Sequence, residues 1–189
     1  MSGTDASELV VAGTGSLHVA PYGTTIPTTV DAALDGNFFN LGFLTEDGLQ
    51  KTQTPTIEEF PAWQSRFPIR RELTGLEVML TAGLLQWNEQ TLQTALGGGS
   101  VTEYNSGKYV YVPVGDDEQL DEVSVVASWS DGDDDYRLVI PKASATESVE
   151  VQLNRTNASV LPVTFKVLGV AGVPPYKIYT NAAGFEAGS

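Results

Sequence analysis

The sequence predicts a mainly β protein assembled from many short antiparallel strands, and three observations predict it. Apolar and polar residues alternate with a period of two in several segments, most clearly over 74–84 and 122–130. The 19 glycines and 10 prolines are scattered as turn punctuation, which suits short strands better than a helical bundle. Helical spacing with marked ends occurs in one short segment, 88–96. At 189 residues with 41% hydrophobic content, the chain is long enough for one domain with a full core. It reads as an N-terminal arm over 1–14, a body over 15–173 and a C-terminal arm over 174–189.

Taken in order, residues 1–14 are rich in Gly, Ser and Thr around an apolar knot at Leu9, Val10 and Val11. Ser16 to Ala20 reads as a first strand with Leu17 and Val19 inward, closed by the turn Pro21-Tyr22-Gly23. His18, the only histidine, then falls on the opposite face and reads as a surface residue. A strand from Phe38 to about Thr54 is interrupted at Glu46-Asp47-Gly48 by a bulge or tight turn. Residues 55–71, PTIEEFPAWQSRFPIRR, read as a long strand-connecting loop. It carries three prolines and mixes charges with Phe60, Trp63 and Phe67. Aromatics on such a segment either fold back or wait for a partner, and the mixture with Arg favours a partner.

From Thr74 to Leu84 the even positions, Thr74, Leu76, Val78, Leu80, Ala82 and Leu84, are expected to meet the core. Asn88 is placed to cap a helix, Trp87 and Leu92 to form a hydrophobic staple, and Gly97 to end it. So short a helix needs pinning to the sheet, and Trp87, Leu92 and Leu96 are the expected pins. Tyr109 to Val114 reads as a buried strand. In the next, Val123, Val125, Ala127 and Trp129 form a dry face against a wet one of Glu122, Ser124, Ser128 and Ser130. The turn 130–135 should join it to Tyr136–Ile140 as a hairpin. Val149, Val151 and Leu153 suggest another strand. Leu161, Val163, Phe165 and Val167 suggest a further one, in which Pro162 marks an edge position or a strand start. Pro174-Pro175 precedes a last short segment from Tyr176 to Tyr179, and no internal repeat is present.

The chemistry available is narrow. Without cysteine there is neither a disulfide framework nor a thiolate zinc site, and a Ser-His-Asp triad would rest on His18 alone, outside any G-x-S-x-G elbow. Glu58 and Glu59 are adjacent in an extended segment, so their carboxylates point opposite ways and cannot share a glycosidic bond. The acids at Asp131, Asp133, Asp134 and Asp135 lack the remaining ligands of a calcium loop and read as a solvated hairpin tip. No enzyme, metal or cofactor is predicted. The formal charge of −14 excludes a protein that grips nucleic acid through clustered cations. The N-terminus lacks the pattern of a signal peptide and no apolar run reaches membrane length, so a soluble protein folded in cytoplasm is expected.

One set of residues carries a resemblance. Leu41-Gly42-Phe43-Leu44-Thr45-Glu46-Asp47-Gly48, then Glu58-Glu59 with Ala62-Trp63-Gln64-Ser65, then Pro68-Ile69-Arg70-Arg71, then Leu85-Gln86-Trp87-Asn88 and Gly97-Gly98-Gly99 resemble, in order and spacing, the major tail (tail tube) proteins of long-tailed siphophages, especially those infecting actinobacteria. Residues 13–24, GTGSLHVAPYGT, are similar to their opening strand and turn. The likeness is clear over about the first hundred residues.

The resemblance implies a β-sandwich or half-barrel of about eight or more antiparallel strands with one flanking helix. It further implies hexameric rings that stack into a hollow tube for DNA ejection, in a virion tail assembled in the host cytoplasm. Partners would be other copies, a tape measure protein and tail terminator or tip proteins, with DNA passing through the lumen without specific binding and no membrane involved. On the 55–71 segment, Phe60, Trp63 and Phe67 would be apolar interface residues, and Glu58, Glu59, Arg66, Arg70 and Arg71 candidates for intersubunit ion pairs. Glu77 and Glu122, on wet faces, would be lumen candidates in a net negative bore. The alternative is a β-sandwich module binding carbohydrate or another surface ligand through the aromatics of 60–67 and the acidic turns.

Overall fold

A computed structural model of the chain describes residues 9–115, 119–145, 149–151, 153, 155, 158–182 and 185. Ten strands and one helix are present among them: β1 (Thr14–Pro21), β2 (Phe39–Asn40), β3 (Leu44–Phe60), β4 (Arg70–Leu84), α1 (Glu89–Ala95), β5 (Ser100–Asn105), β6 (Lys108–Val112), β7 (Glu122–Asp131), β8 (Asp134–Ala145), β9 (Leu161–Val167) and β10 (Lys177–Thr180). Eight strands form one antiparallel sheet in the order β2-β1-β7-β8-β9-β4-β3, with β10 added on β8; β5 and β6 pair as a separate hairpin. The fold is therefore mainly β, as the alternation predicts.

One strand organises this sheet. Tyr136–Val139 of β8 pair with β10, whereas Ala143–Ala145 of the same strand pair with β9. The sheet forks at that edge, and its two wings share one core. Leu17, Val19, Val125, Ala127, Leu138 and Ile140 come from one wing, and Leu80, Ala82, Leu84, Leu161, Val163 and Phe165 from the other. The even face of β4 meets the core from Val78 to Leu84 as expected, while Leu76 and Thr74 lie beyond it, exposed. The Glu46-Asp47-Gly48 interruption is a register shift: Leu44 pairs with Leu84 but Leu49 with Ala82, so the intervening residues bulge out of β3. Pro162 sits at the start of β9, opposite Gly83, in the half of the strand that pairs with β4 alone.

The helix has the marked ends its sequence suggests. Asn88 accepts from the Thr91 amide at 2.9 Å while Thr91 Oγ1 accepts from the Asn88 amide at 2.9 Å, a reciprocal capping box with Thr in the usual Glu position. At the other end Gly97 has a φ of 74° and the Gly98 amide donates to the Gln93 carbonyl at 2.7 Å, a Schellman closure. A side chain on Gly99 would place Cβ 2.5 Å from the Val112 carbonyl oxygen, so the chain can hug β6 there only as glycine. The pins differ from expectation: Thr91 and Ala95 are buried and Leu92 packs on the core, whereas Leu96 and Trp87 are exposed. Positions 91, 92 and 95 share the face one turn apart that meets the sheet. Trp87 instead donates its indole N–H to the Ser159 carbonyl at 3.1 Å.

Four further expectations are corrected. Residues 55–60 and 70–71 are not loop but strand, so the connection shrinks to 61–69; a two-stranded ladder accepts prolines at its edges and needs no apolar face to form. Tyr109–Val112 is not buried, because among the described residues β6 pairs only with β5 and leaves Tyr109, Val110 and Val112 exposed. Val149 and Val151 pack on the core without forming a strand, and Leu153 is exposed. The second face of β7 is not uniformly wet: Val126 and Ser124 are buried, and Ser124 Oγ donates to the Pro141 carbonyl at 2.8 Å. The segment 22–38 lies over this face, where Arg137 donates to the Thr29 and Ala32 carbonyls at 3.1 and 2.6 Å.

His18 is on that covered face, opposite Val126 and Asn40, and is only half-exposed. Its Nδ1 is buried without a hydrogen-bond partner among the described residues. Burial, and then the Arg137 charge, hold its pKa below the ordinary imidazole value. The unfolded chain thus protonates first, so stability falls as pH drops through about 6.5. Urea unfolding at a series of pH values should show this loss, and His18→Asn should flatten it. Asn88→Ala should cost about 1 kcal/mol in the same measurement through loss of the cap, with an unchanged denaturant slope.

Candidate functional site

The segment that the sequence marks for partner contact is a projecting β-arm. β3 and β4 run together past the core, Pro55 pairing with Leu76 and Phe60 with Arg70, with a register shift at Thr56/Ile57. Among the described residues no other strand flanks this part of the ladder, and its residues are exposed on both faces. Trp63 is 100% exposed and Phe67 79%, with Phe60 and Ile69 also exposed beside them. A contiguous apolar row of this kind on a soluble surface is characteristic of an interaction site.

The turn that carries them is ordered by its own hydrogen bonds. The Ser65 amide donates to the Ala62 carbonyl at 3.1 Å, Ser65 Oγ accepts from the Phe67 amide at 3.1 Å and donates to the Phe67 carbonyl at 2.8 Å, and the Ile69 amide closes onto the Phe60 carbonyl at 3.0 Å. The charged candidates separate into two groups. Arg71 pairs with Glu59 at 3.0 Å across the ladder and Arg70 with Glu72 at 3.4 Å, all of them exposed. Glu58 and Arg66 form no ion pair among the described residues, and Arg66 stands at the tip between Trp63 and Phe67.

The lumen candidates share one face. Directly paired residues of an antiparallel ladder point the same way. Thr54 pairs with Glu77, Met79 with Lys166, Thr81 with Thr164, Lys166 with Ser144, and Ser144 with Glu122. Glu77 and Glu122 therefore stand on the same side of the sheet, the side opposite the core, in a row of hydroxyl and charged groups that also takes in Gln50 and Thr52. Each acid has a lysine. Lys166 Nζ donates to Glu77 Oε1, and Lys142 Nζ lies 2.8 Å from Glu122 Oε1, with Lys142 also over the Tyr22 ring. Sequence reading missed both lysines, since they lie far from the acids along the chain and only the ladder register brings them together. The same holds for Lys51, which lies over the Tyr176 ring and donates to Gln53 Oε1 at 3.3 Å.

Two strand edges are open. Among the described residues the outer edge of β3 has no partner strand, and β1 is paired on its outer side only at His18 and Val19. Such edges are templates for further strand pairing. Among the described residues no group of three or more His, Asp or Glu side chains is placed to hold a metal ion, and no helix is long and apolar enough to cross a membrane.

A search of the curated proteins finds no match. The family of phage tail tube proteins, by contrast, matches residues 2–188. A projecting arm, an open-edged β-sheet and a polar outer face are thus carried by a chain that belongs, over nearly its whole length, to the phage tail tube protein family, a structural family of the virion tail and not a family of enzymes.

Proposed function

We propose that this tail tube protein is the subunit of a siphophage tail. In this reading it forms hexameric rings that stack into the conduit through which DNA is ejected, with a tape measure protein inside during assembly and terminator or tip proteins at the ends. The observation that carries the reading is the arm: Trp63 and Phe67 are held out on an ordered turn far from the subunit's own core. Burial of such anchors is the usual source of interface energy. The open edges of β1 and β3 support closure of the sheet around a ring, which would remove the aggregation hazard of an exposed edge. Phe60, Trp63 and Phe67 act as apolar contacts and Arg66 and Glu58 as the charges free for a neighbour. Glu59, Arg70, Arg71 and Glu72 are engaged within the arm and stiffen it.

The polar face of Glu77, Lys166, Ser144 and Glu122 is the proposed bore wall. Its two acids are each matched by a lysine, which supports a wall close to electrical neutrality and lined with hydroxyls, in place of the net negative bore the sequence suggests. Such a wall neither grips nor strongly repels a phosphate backbone, because no cation is free to release counterions.

Two outcomes follow. In negative-stain micrographs of concentrated protein, the unaltered chain should show rings or tubes of uniform bore, and Trp63→Ala should abolish them while leaving the unfolding transition of the subunit in place. Tubes of normal appearance from Trp63→Ala would remove the arm from the interface. Tubes carrying Glu77→Lys with Glu122→Lys should retain duplex DNA at low salt and release it as salt rises, whereas unaltered tubes should not hold it. Equal behaviour of the two would place this face away from the bore.

A further inference from the structure

We propose that the apolar cleft at the open mouth of the folded sheet is the receptor for the arm tip of a second copy of this chain. The proposal rests on the arm being an assembly contact and adds the surface that receives it. The cleft has a volume of about 660 Å³ and lies between the bulged start of β3 and the β1–β7 pair, with Ile178 of β10 at its side. Phe43, Leu44, Leu49, Trp129, Leu138 and Ile178 line it. Its size falls in the range of roughly 300–1,000 Å³ typical of pockets that bury a whole ligand, with room for an indole and a phenyl ring together. Phe43 is 73% and Ile178 50% exposed, so the rim is apolar and uncovered.

Three observations make a second copy the occupant. The first is chemistry: the tip offers Trp63 and Phe67, pre-ordered by the Ser65 hydrogen bonds, and pre-ordering lowers the entropy lost on docking. The second is charge. The turn of the arm, 61–69, carries one charge, Arg66, which forms no ion pair among the described residues, while Arg70 and Arg71 behind it are taken up by Glu72 and Glu59. Glu46, on the β3 bulge, lines the cleft and forms no ion pair among the described residues; the one lining cation, Lys51, is turned to Gln53 and Tyr176. Complementary sign of this kind sets register and partner choice.

The third is reach. Cleft and tip belong to opposite ends of the same strand, and Leu49 to Phe60 spans roughly 35 Å at strand rise. A rigid ladder cannot bring its own tip back across that distance, so knob and cleft meet only between copies. Because they are different surfaces, the contact is head-to-tail and repeats from copy to copy.

The absence of native cysteine gives a clean test on the full chain. Gln64→Cys, beside the anchor on the tip, with Thr45→Cys on the cleft lining, assembled and then oxidised, should yield a ladder of disulfide-linked oligomers on non-reducing gels. Gln64→Cys with Lys108→Cys, on the separate β5–β6 hairpin, should yield none. Charge exchange is the second measurement: Arg66→Glu and Glu46→Arg should each raise the concentration needed for assembly about tenfold or more, and the double variant should recover most of it. Assembly by the cysteine variants without the ladder, or no recovery in the charge double variant, overturns the cleft as receptor. If Trp63→Ala still abolishes tubes in that case, the arm reading stands and the receptor lies elsewhere; if Trp63→Ala assembles normally, both fall.

Discussion

The rest of the structure depends on β8 dividing its outer edge between two partners. A strand paired to one neighbour along its whole length would extend a flat sheet. Here β10 takes Tyr136–Val139 and β9 takes Ala143–Ala145, so the wings diverge and can fold against each other. Phe165 and Leu138, from opposite wings, then belong to one buried cluster. The same fork leaves a gap where the start of β3 and β10 part company, and Leu138 lies at once in the core and in the lining of the cleft. Core and cleft are two results of one pairing choice. The Trp129–Tyr136 stack, with ring centroids 5.5 Å apart, closes the core just before the gap opens.

What the sequence made legible was local. The even face of β4, the caps of α1, the bulge at Glu46-Asp47-Gly48 and the strand start at Pro162 are each set by a few neighbouring residues, so pattern and propensity found them. What it hid was set by pairing. The 55–71 segment reads as loop because its prolines and charges deny it a buried face, yet a ladder anchored in the core propagates outward by hydrogen bonds alone. Tyr109–Val112 reads as buried because it is apolar on both faces, yet among the described residues its only partner strand is β5. Ser124 reads as wet, yet it is buried with Val126 on the same face, its hydroxyl taken up by the Pro141 carbonyl. In the candidate site the arm aromatics were visible, while Lys142 and Lys166 required the register to be known.

Net charge misleads about local charge in the same way. A chain at −14 suggests an acidic wall wherever acids alternate with apolar residues. The two acids on the polar face are nevertheless matched, and the arm tip is locally basic. Half-exposed pairs such as Glu77–Lys166 contribute little to folding, since solvent screens them. Their consequence is for the surface potential: they cancel charge where the sheet presents hydroxyls and leave the excess of acid on turns and edges. Under the proposed contact, Arg66 of one copy and Glu46 on the β3 bulge of the next would offset part of that repulsion.

The arm follows from the core by a mechanical argument. A two-stranded hairpin alone is marginal in water, and this one buries no apolar face of its own. It keeps its shape because its two strands are continuous with Leu80, Ala82 and Leu84 in β4 and with the bulged start of β3, all tied to the core. The exposed Glu59–Arg71 pair adds little energy but ties β3 to β4 across the ladder, whereas Arg70–Glu72 lies within β4 alone. A tip held at a fixed distance by a stiff base loses little entropy on docking, so under the proposed contact each copy's core would set the spacing at which the next copy is met.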